Sequence, residues 1–178
     1  MVLDRLARAV KDDPSFSILV WGPGDKHPHY PIRTALRDHL REYFARVQFS
    51  EDAPAPSTAS RVSWFENLAF EERLHGTKAD IIYLLLSSTG PRLELILYWG
   101  YKNVGPKLHV LVPEEAHEDS FIGRVTNDIL ARIPKYQLHR FPVGRFNKDM
   151  VCAYCRKHAR DFYVSKHPAG PPDLDTTL

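Results

Sequence analysis

Short apolar runs alternate along the chain with longer segments whose apolar residues recur at helical spacing. The runs are typical of strands buried on both faces, and the spacing indicates helices that bury one side. The pattern predicts strands over residues 16–21, 46–50, 80–86, 108–112 and 136–141. Helices are predicted over 2–11, 31–44, 63–75, 91–104, 119–132 and 145–164.

Strands that alternate with helices indicate an α/β fold, because each crossover is long enough for a right-handed βαβ unit. Five strands fit a flavodoxin-like, doubly wound, mainly parallel sheet of order 2-1-3-4-5 with helices on both faces. Residues 1–166 are expected to form one domain, and the polar, proline-containing tail 167–178 is expected to be disordered. The segment 51–60, rich in Pro, Ala and Ser, is expected to be a mobile loop.

Glu94 is the most conspicuous polar residue of the pattern. It follows Pro91 by about one helical turn and is surrounded in sequence by leucine, isoleucine and tryptophan. A carboxylate among apolar side chains costs free energy unless a partner or a function compensates for it. Glu94 is therefore the candidate catalytic residue, although a solvent-facing glutamate favoured by the helix dipole remains an alternative.

The other candidate site residues follow or begin two neighbouring strands. In such a sheet, ligands bind at the carboxyl ends of the strands beside the switch point, which here lies between the first and third strands. The candidates for substrate binding are Gly22, Pro23, Gly24, Asp25, Asp80, Ser87, Ser88 and Arg92.

Composition narrows the class of protein only slightly. The 178 residues are 43% hydrophobic with a net charge of +2, and no apolar run reaches the roughly 20 residues of a membrane span. The first residues carry charges throughout, so no secretion signal is expected, and a cytoplasmic protein is the simplest interpretation. Residues 132–166 hold nine Lys or Arg against two Asp, a pattern more typical of a solvated helix face than of a nucleic-acid site.

Cys152, Cys155 and His158 have spacing that invites a metal or redox interpretation. No second pair of cysteines exists to complete a zinc site, and the motif lies inside a predicted helix. Buried small residues are the better interpretation, and no metal or cofactor is predicted. The chain also lacks the GxSxG and Walker A patterns.

Three motifs resemble the nucleoside 2-deoxyribosyltransferase-like family, whose fold superfamily also includes TIR domains. Residues 20–23 resemble its first strand and Gly-Pro turn, and residues 78–82 resemble the entry to its third strand. Residues 90–95 resemble the helix start that holds the family's nucleophilic glutamate, which corresponds to Glu94. Ile96 follows the Glu-Leu pair where the family often has glycine, and only serine and threonine precede the helix where it often has Asp or Asn.

The resemblance implies an N-glycosidase that hydrolyses or transfers the base of a nucleotide or NAD-like molecule through Glu94. Because enzymes of this kind often complete their sites across subunit contacts, the resemblance also allows a homo-oligomer. A non-catalytic nucleotide-sensing module, such as a TIR-like immune or toxin effector domain, is the alternative. An interaction domain that uses the basic last helix is a third interpretation.

Overall fold

The structure, a computed structural model, describes residues 10–52, 72–114 and 120–167. Its centre is a five-stranded sheet of order β2-β1-β3-β4-β5 in which every neighbouring pair is parallel. The strands are β1 (Ser17–Trp21), β2 (Arg46–Gln48), β3 (Ile81–Leu85), β4 (Leu108–Pro113) and β5 (Leu138–Phe141). The predicted flavodoxin-like α/β fold and its strand order are confirmed.

The three central strands are apolar because both of their faces are covered. Every residue of β3 and β4 is buried, and in β1 only Ser17 is partly exposed. Alternate residues of these strands enter two separate core clusters. Ile18, Val20 and Tyr83 belong to one cluster, and Leu19 and Trp21 belong to the other.

Within the described residues, four complete helices cover the two faces of the sheet. They are α1 (Tyr30–Arg41), α2 (Thr89–Tyr98), α3 (Phe121–Leu130) and α4 (Lys148–Lys166). Helices α1 and α4 pack together over one cluster, while α2 and α3 pack over the other. Residues 72–78 are also helical and lie on the side of α2. This arrangement is the doubly wound one that the alternation of elements predicts.

Gly76 corrects one predicted boundary. The sequence suggests that it ends the third helix as a C-cap, but the helical conformation continues to residue 78. A Cβ on Gly76 would lie 3.2 Å from Val104 Cγ1 and 3.3 Å from both Ile82 Cδ1 and Trp21. The glycine is therefore used for close packing against the sheet.

Several expectations fall mostly outside the described ranges: the first helix, the loop over residues 51–60, the start of the third helix and the tail. Most of the remaining element boundaries differ from the prediction by a few residues, as at α1, which ends at Arg41 while Phe44 stays buried beyond it. The prediction that the fourth helix continues to residue 104 is wrong, because α2 ends at Tyr98 and the chain turns at residues 99–100, where Gly100 lies. Within the described residues, no helix is both long and apolar enough to cross a membrane.

Candidate functional site at the switch point

The carboxyl ends of β1 and β3 lie side by side, with Trp21 paired to Leu84. The chain leaves β1 through Gly22, where an added Cβ would lie 3.0 Å from Leu85 Cβ. Gly22 therefore permits the close approach of the two strand ends. Gly24 is different, because a Cβ there would meet nothing within 4 Å and open space adjoins its backbone. Asp25 follows in the same exposed turn.

Arg33 from α1 fixes the loop that leaves β1. Its Nε and Nη2 donate to the Val20 carbonyl at 3.3 and 3.2 Å, and its Nη1 donates to the Pro23 carbonyl at 3.4 Å. Nη2 also pairs with Glu51 Oε2 at 2.7 Å, and the guanidinium lies 4.2 Å from the Phe49 ring centre. Arg33 is 4% exposed, so its charge is buried and already committed to these partners.

Glu94 lies in the second turn of α2, whose amino end follows β3. Its Oε2 is buried and has no hydrogen-bond partner among the described residues. Burial, together with the negative charge of Glu72, raises the pKa of Glu94 from 4.5 to about 8, and Arg33 lowers it in part. The solvent-facing alternative does not fit this buried oxygen, and the catalytic role of Glu94 stays a prediction.

A second glutamate accompanies Glu94. The Tyr98 hydroxyl donates a hydrogen bond to Glu72 Oε2 at 3.0 Å. Burial raises the pKa of Glu72 above its usual value, although the bond from Tyr98 lowers it. An acid near the end of a predicted amphipathic helix is most simply placed on its exposed face, but Glu72 is only partly exposed and is tied to α2.

The residues between β3 and α2 differ in what they offer a ligand. Ser87 Oγ is buried and lacks a hydrogen-bond partner within the described ranges, whereas Ser88 occupies the N-cap position without a side-chain capping bond. Arg92 is 6% exposed, so its guanidinium lies inside the protein and not on an open phosphate-binding surface. Ser87 is thus the stronger candidate of the three for contacting a bound molecule.

Asp80 does not lie near the carboxyl ends of β1 and β3. It precedes β3 at the amino ends of the strands, where its Oδ2 accepts a hydrogen bond from the Ser17 backbone N–H at 2.9 Å. Its other oxygen pairs with Lys166 Nζ at 2.5 Å. Asp80 therefore ties the starts of two strands to the end of α4, which corrects the prediction that it binds substrate.

Two cavities of the described structure lie away from Glu94. One of about 330 Å³ opens between α1 and α4 beside His39, Cys152 and Arg156. Another of about 530 Å³ lies between residues 72–78 and the loop that follows α2, beside Tyr101. We place the candidate site at the switch point on its chemistry, because neither cavity contains a buried, unpartnered acid.

Both cysteines of the CxxC motif in α4 lie in the core. Cys152 and Cys155 are free and buried, as predicted. His158 Nδ1 lies 2.8 Å from the Tyr83 hydroxyl. Over the described ranges, no group of three or more His, Cys, Asp or Glu side chains is arranged to hold a metal ion.

Comparisons with known proteins leave the family open. No model of a known protein family matches the chain, and no curated protein matches it either. The resemblance to nucleoside 2-deoxyribosyltransferase-like proteins therefore stays a prediction that rests on the three motifs.

Arg33 and Glu51 are site residues that sequence reasoning missed. Arg33 precedes Leu36 and Leu40 by three and seven residues, so it shares their inward face, and this spacing was the available signal. Glu51 follows β2 in a 3-10 turn, and nothing in its local pattern distinguishes it from other surface acids. Its role is visible only once the sheet brings it to Arg33.

Proposed function

We propose that a crevice at the carboxyl ends of β1 and β3 binds a nucleotide or NAD-like molecule, and that Glu94 is the reacting carboxylate that cleaves its N-glycosidic bond. The observation that carries this proposal is the buried Oε2 of Glu94, which lacks a partner among the described residues. A buried acid without a partner lowers stability, and its presence is explained by a function that needs it. The motif over residues 90–95 supports the same assignment.

The chemistry requires a carboxylate beside the sugar. As the bond between C1′ and the base nitrogen breaks, its electrons leave with the base and positive charge develops on C1′ and the ring oxygen. The Glu94 carboxylate stabilises that charge or attacks C1′, and water or a second base then takes the sugar. In this proposal, Ser87 Oγ binds a sugar hydroxyl or a phosphate, and the open backbone at Gly24 lies against the nucleotide.

The protonation state of Glu94 sets the expected pH dependence. With its pKa raised to about 8, the side chain carries a proton in most molecules of the empty protein at pH 7. The reaction needs the ionised form, so base release is expected to increase between pH 6 and pH 8.5. A rate that falls over this range would contradict the role of Glu94 as a carboxylate.

The same protonation favours one alternative function. A neutral acid is a hydrogen-bond donor, and a site that keeps Glu94 neutral is suited to hold a ligand without reacting with it. The second candidate is therefore a nucleotide-sensing module that retains the crevice. A cytoplasmic location, where nucleotides are available, and a homo-oligomer belong to both proposals.

Base release separates the two candidates. The chain is incubated with NAD and a panel of nucleoside monophosphates, free base is detected by chromatography, and ligand affinity is measured by calorimetry. Glu94→Gln is expected to abolish release while binding persists. Glu42→Gln, at an exposed glutamate that ends α1, is the matched control and should leave both unchanged. Binding without release in the unaltered chain would favour the sensor, and undiminished release by Glu94→Gln would refute our assignment.

A further inference from the structure

Tyr98 connects the two glutamates through the geometry of α2. Residues four apart on a helix lie on the same face, so the Tyr98 ring lies one turn beyond Glu94 on the same side of α2. The Tyr98 hydroxyl holds Glu72 Oε2 at 3.0 Å. The hydrogen bond therefore draws the Glu72 carboxylate from residues 72–78 to the face of α2 that carries Glu94.

The charges that face Glu94 come from four parts of the chain. Arg33 of α1 is the cation, Glu51 of the 3-10 turn and Glu72 of residues 72–78 are the anions, and Tyr98 lies on the same helix. Arg33 is paired with Glu51 at 2.7 Å and bonded to two backbone carbonyls. These partners offset the attraction of Arg33 for Glu94. No second cation among the groups named here balances the negative charge of Glu72.

Tyr98 also favours the charged form of Glu72, although burial still leaves the pKa of Glu72 raised. A hydroxyl that donates to a carboxylate stabilises the ionised form. The bond opposes the effect of burial on Glu72, whose Oε2 accepts it. An ionised Glu72 in turn disfavours a second negative charge on Glu94 nearby, so the two carboxyl groups are expected to hold one proton between them.

We propose that Glu72 is a positioning residue for Glu94: held by the Tyr98 hydroxyl, its carboxylate keeps the proton of the pair on Glu94 in the empty site. The consequence for catalysis rests on the function proposed above, because it assumes that Glu94 reacts when it loses this proton. The distribution of the proton itself is a property of the empty protein.

Titration of the full-length chain without ligand tests the proposal. The side-chain carboxyl carbons of glutamate are labelled with ¹³C and followed by NMR from pH 4 to 10, and the Glu94 resonance is assigned by its loss in Glu94→Gln. We expect a midpoint near 8 for Glu94 in the unaltered chain. Glu72→Gln should lower this midpoint by about one pH unit, the size of the effect of one nearby like charge.

Tyr98→Phe provides a second, independent variant, because it removes only the hydroxyl. Glu72 then binds a proton more readily, so the Glu94 midpoint should fall in the same direction by a smaller amount. Glu42→Gln, outside the cluster, should leave it unchanged. A Glu94 midpoint that moves by less than about 0.3 pH units in both Glu72→Gln and Tyr98→Phe overturns the proposal, given the size expected for a nearby charge.

The NMR result is independent of the enzymatic result. If the chain releases no base from any nucleotide, the proposed function is refuted. The shift of the Glu94 midpoint is still tested, because the titration needs no activity. If base is released, the pH at which release is half-maximal should move in Glu72→Gln together with the NMR midpoint. A rate that decreases equally at every pH would indicate a structural role for Glu72 and overturn the positioning role.

Discussion

Replacing Glu94 by glutamine removes a carboxyl group that the fold holds away from water. The pKa of this group is 4.5 in a solvated chain and about 8 in the folded protein. Between these values, the folded state binds more protons than the unfolded state, so the stability of the protein falls as the pH rises. Glu94→Gln cannot titrate and should lose this part of the pH dependence.

The size of the effect follows from the two pKa values. Each pH unit between the two pKa values corresponds to about 1.4 kcal/mol of unfolding free energy. The largest loss of stability from ionising Glu94, reached above pH 8, is therefore about 5 kcal/mol. Glu94 is partly exposed as a residue although its Oε2 is buried, and this partial exposure reduces the effect. Between pH 5 and pH 8, we expect the free energy of unfolding of Glu94→Gln to rise by about 2–3 kcal/mol relative to that of the unaltered chain.

Urea denaturation at pH 5, 6.5 and 8 measures this gain. The two free energies of unfolding should be close at pH 5 and diverge as the pH rises, with Glu94→Gln the more stable at pH 8. Glu42→Gln serves as the control for a glutamate at an exposed position. Parallel curves for the unaltered chain and Glu94→Gln would refute the argument, because they would mean that Glu94 is solvated in the folded protein.

Three further predictions concern stability. Burial and the neighbouring His158 lower the pKa of His109 to about 3, so stability should fall as the pH drops below 6.5. His109→Gln should recover about 2 kcal/mol of that loss at pH 4.5, measured against pH 7 by denaturation, and an unchanged slope would contradict it. Gly105→Ala should cost at least about 2 kcal/mol, because its Cβ would lie 2.1 Å from the Trp99 carbonyl oxygen. Gly24→Ala, in open space, is the control and should change the melting temperature little. Arg33→Met should cost about 3 kcal/mol, because it removes the guanidinium that donates to two buried carbonyls and pairs with the Glu51 carboxylate. A melting temperature equal to that of the unaltered chain would show the network to be dispensable.

The fold was predictable because its signals are local. Strands β3 and β4 are buried on both faces, and this burial is written into the sequence as continuous apolar runs over 81–86 and 108–112. Gly76 shows the limit of such reasoning. A glycine near a helix end has the same local pattern whether it caps the helix or lets the helix approach the sheet, and only the position of Trp21 distinguishes the two cases.

The candidate site was predictable in part. Glu94 could be singled out as a candidate because an acid between apolar residues of a predicted helix is already unusual in the sequence. Asp80 was assigned to the site because a polar residue at the start of a strand has a sequence pattern similar to that of one at its end. In the structure it lies at the amino ends of the strands, away from the candidate site. Glu72 and Glu51 gain their roles through Tyr98 and Arg33, and contacts between distant parts of the chain leave no local pattern.

The position of α4 over the sheet has a consequence for how the protein folds during synthesis. This helix, Lys148–Lys166, covers one core cluster together with α1, and its Tyr163 hydroxyl bonds Asp13 at 3.0 Å, 150 residues earlier in the chain. A nascent chain that has emerged only to residue 147 therefore exposes the apolar face of β1 and β3 beside α1. This face of the sheet is covered completely only after α4 has been synthesised. Until then, the exposed apolar face is a surface that chaperones can bind.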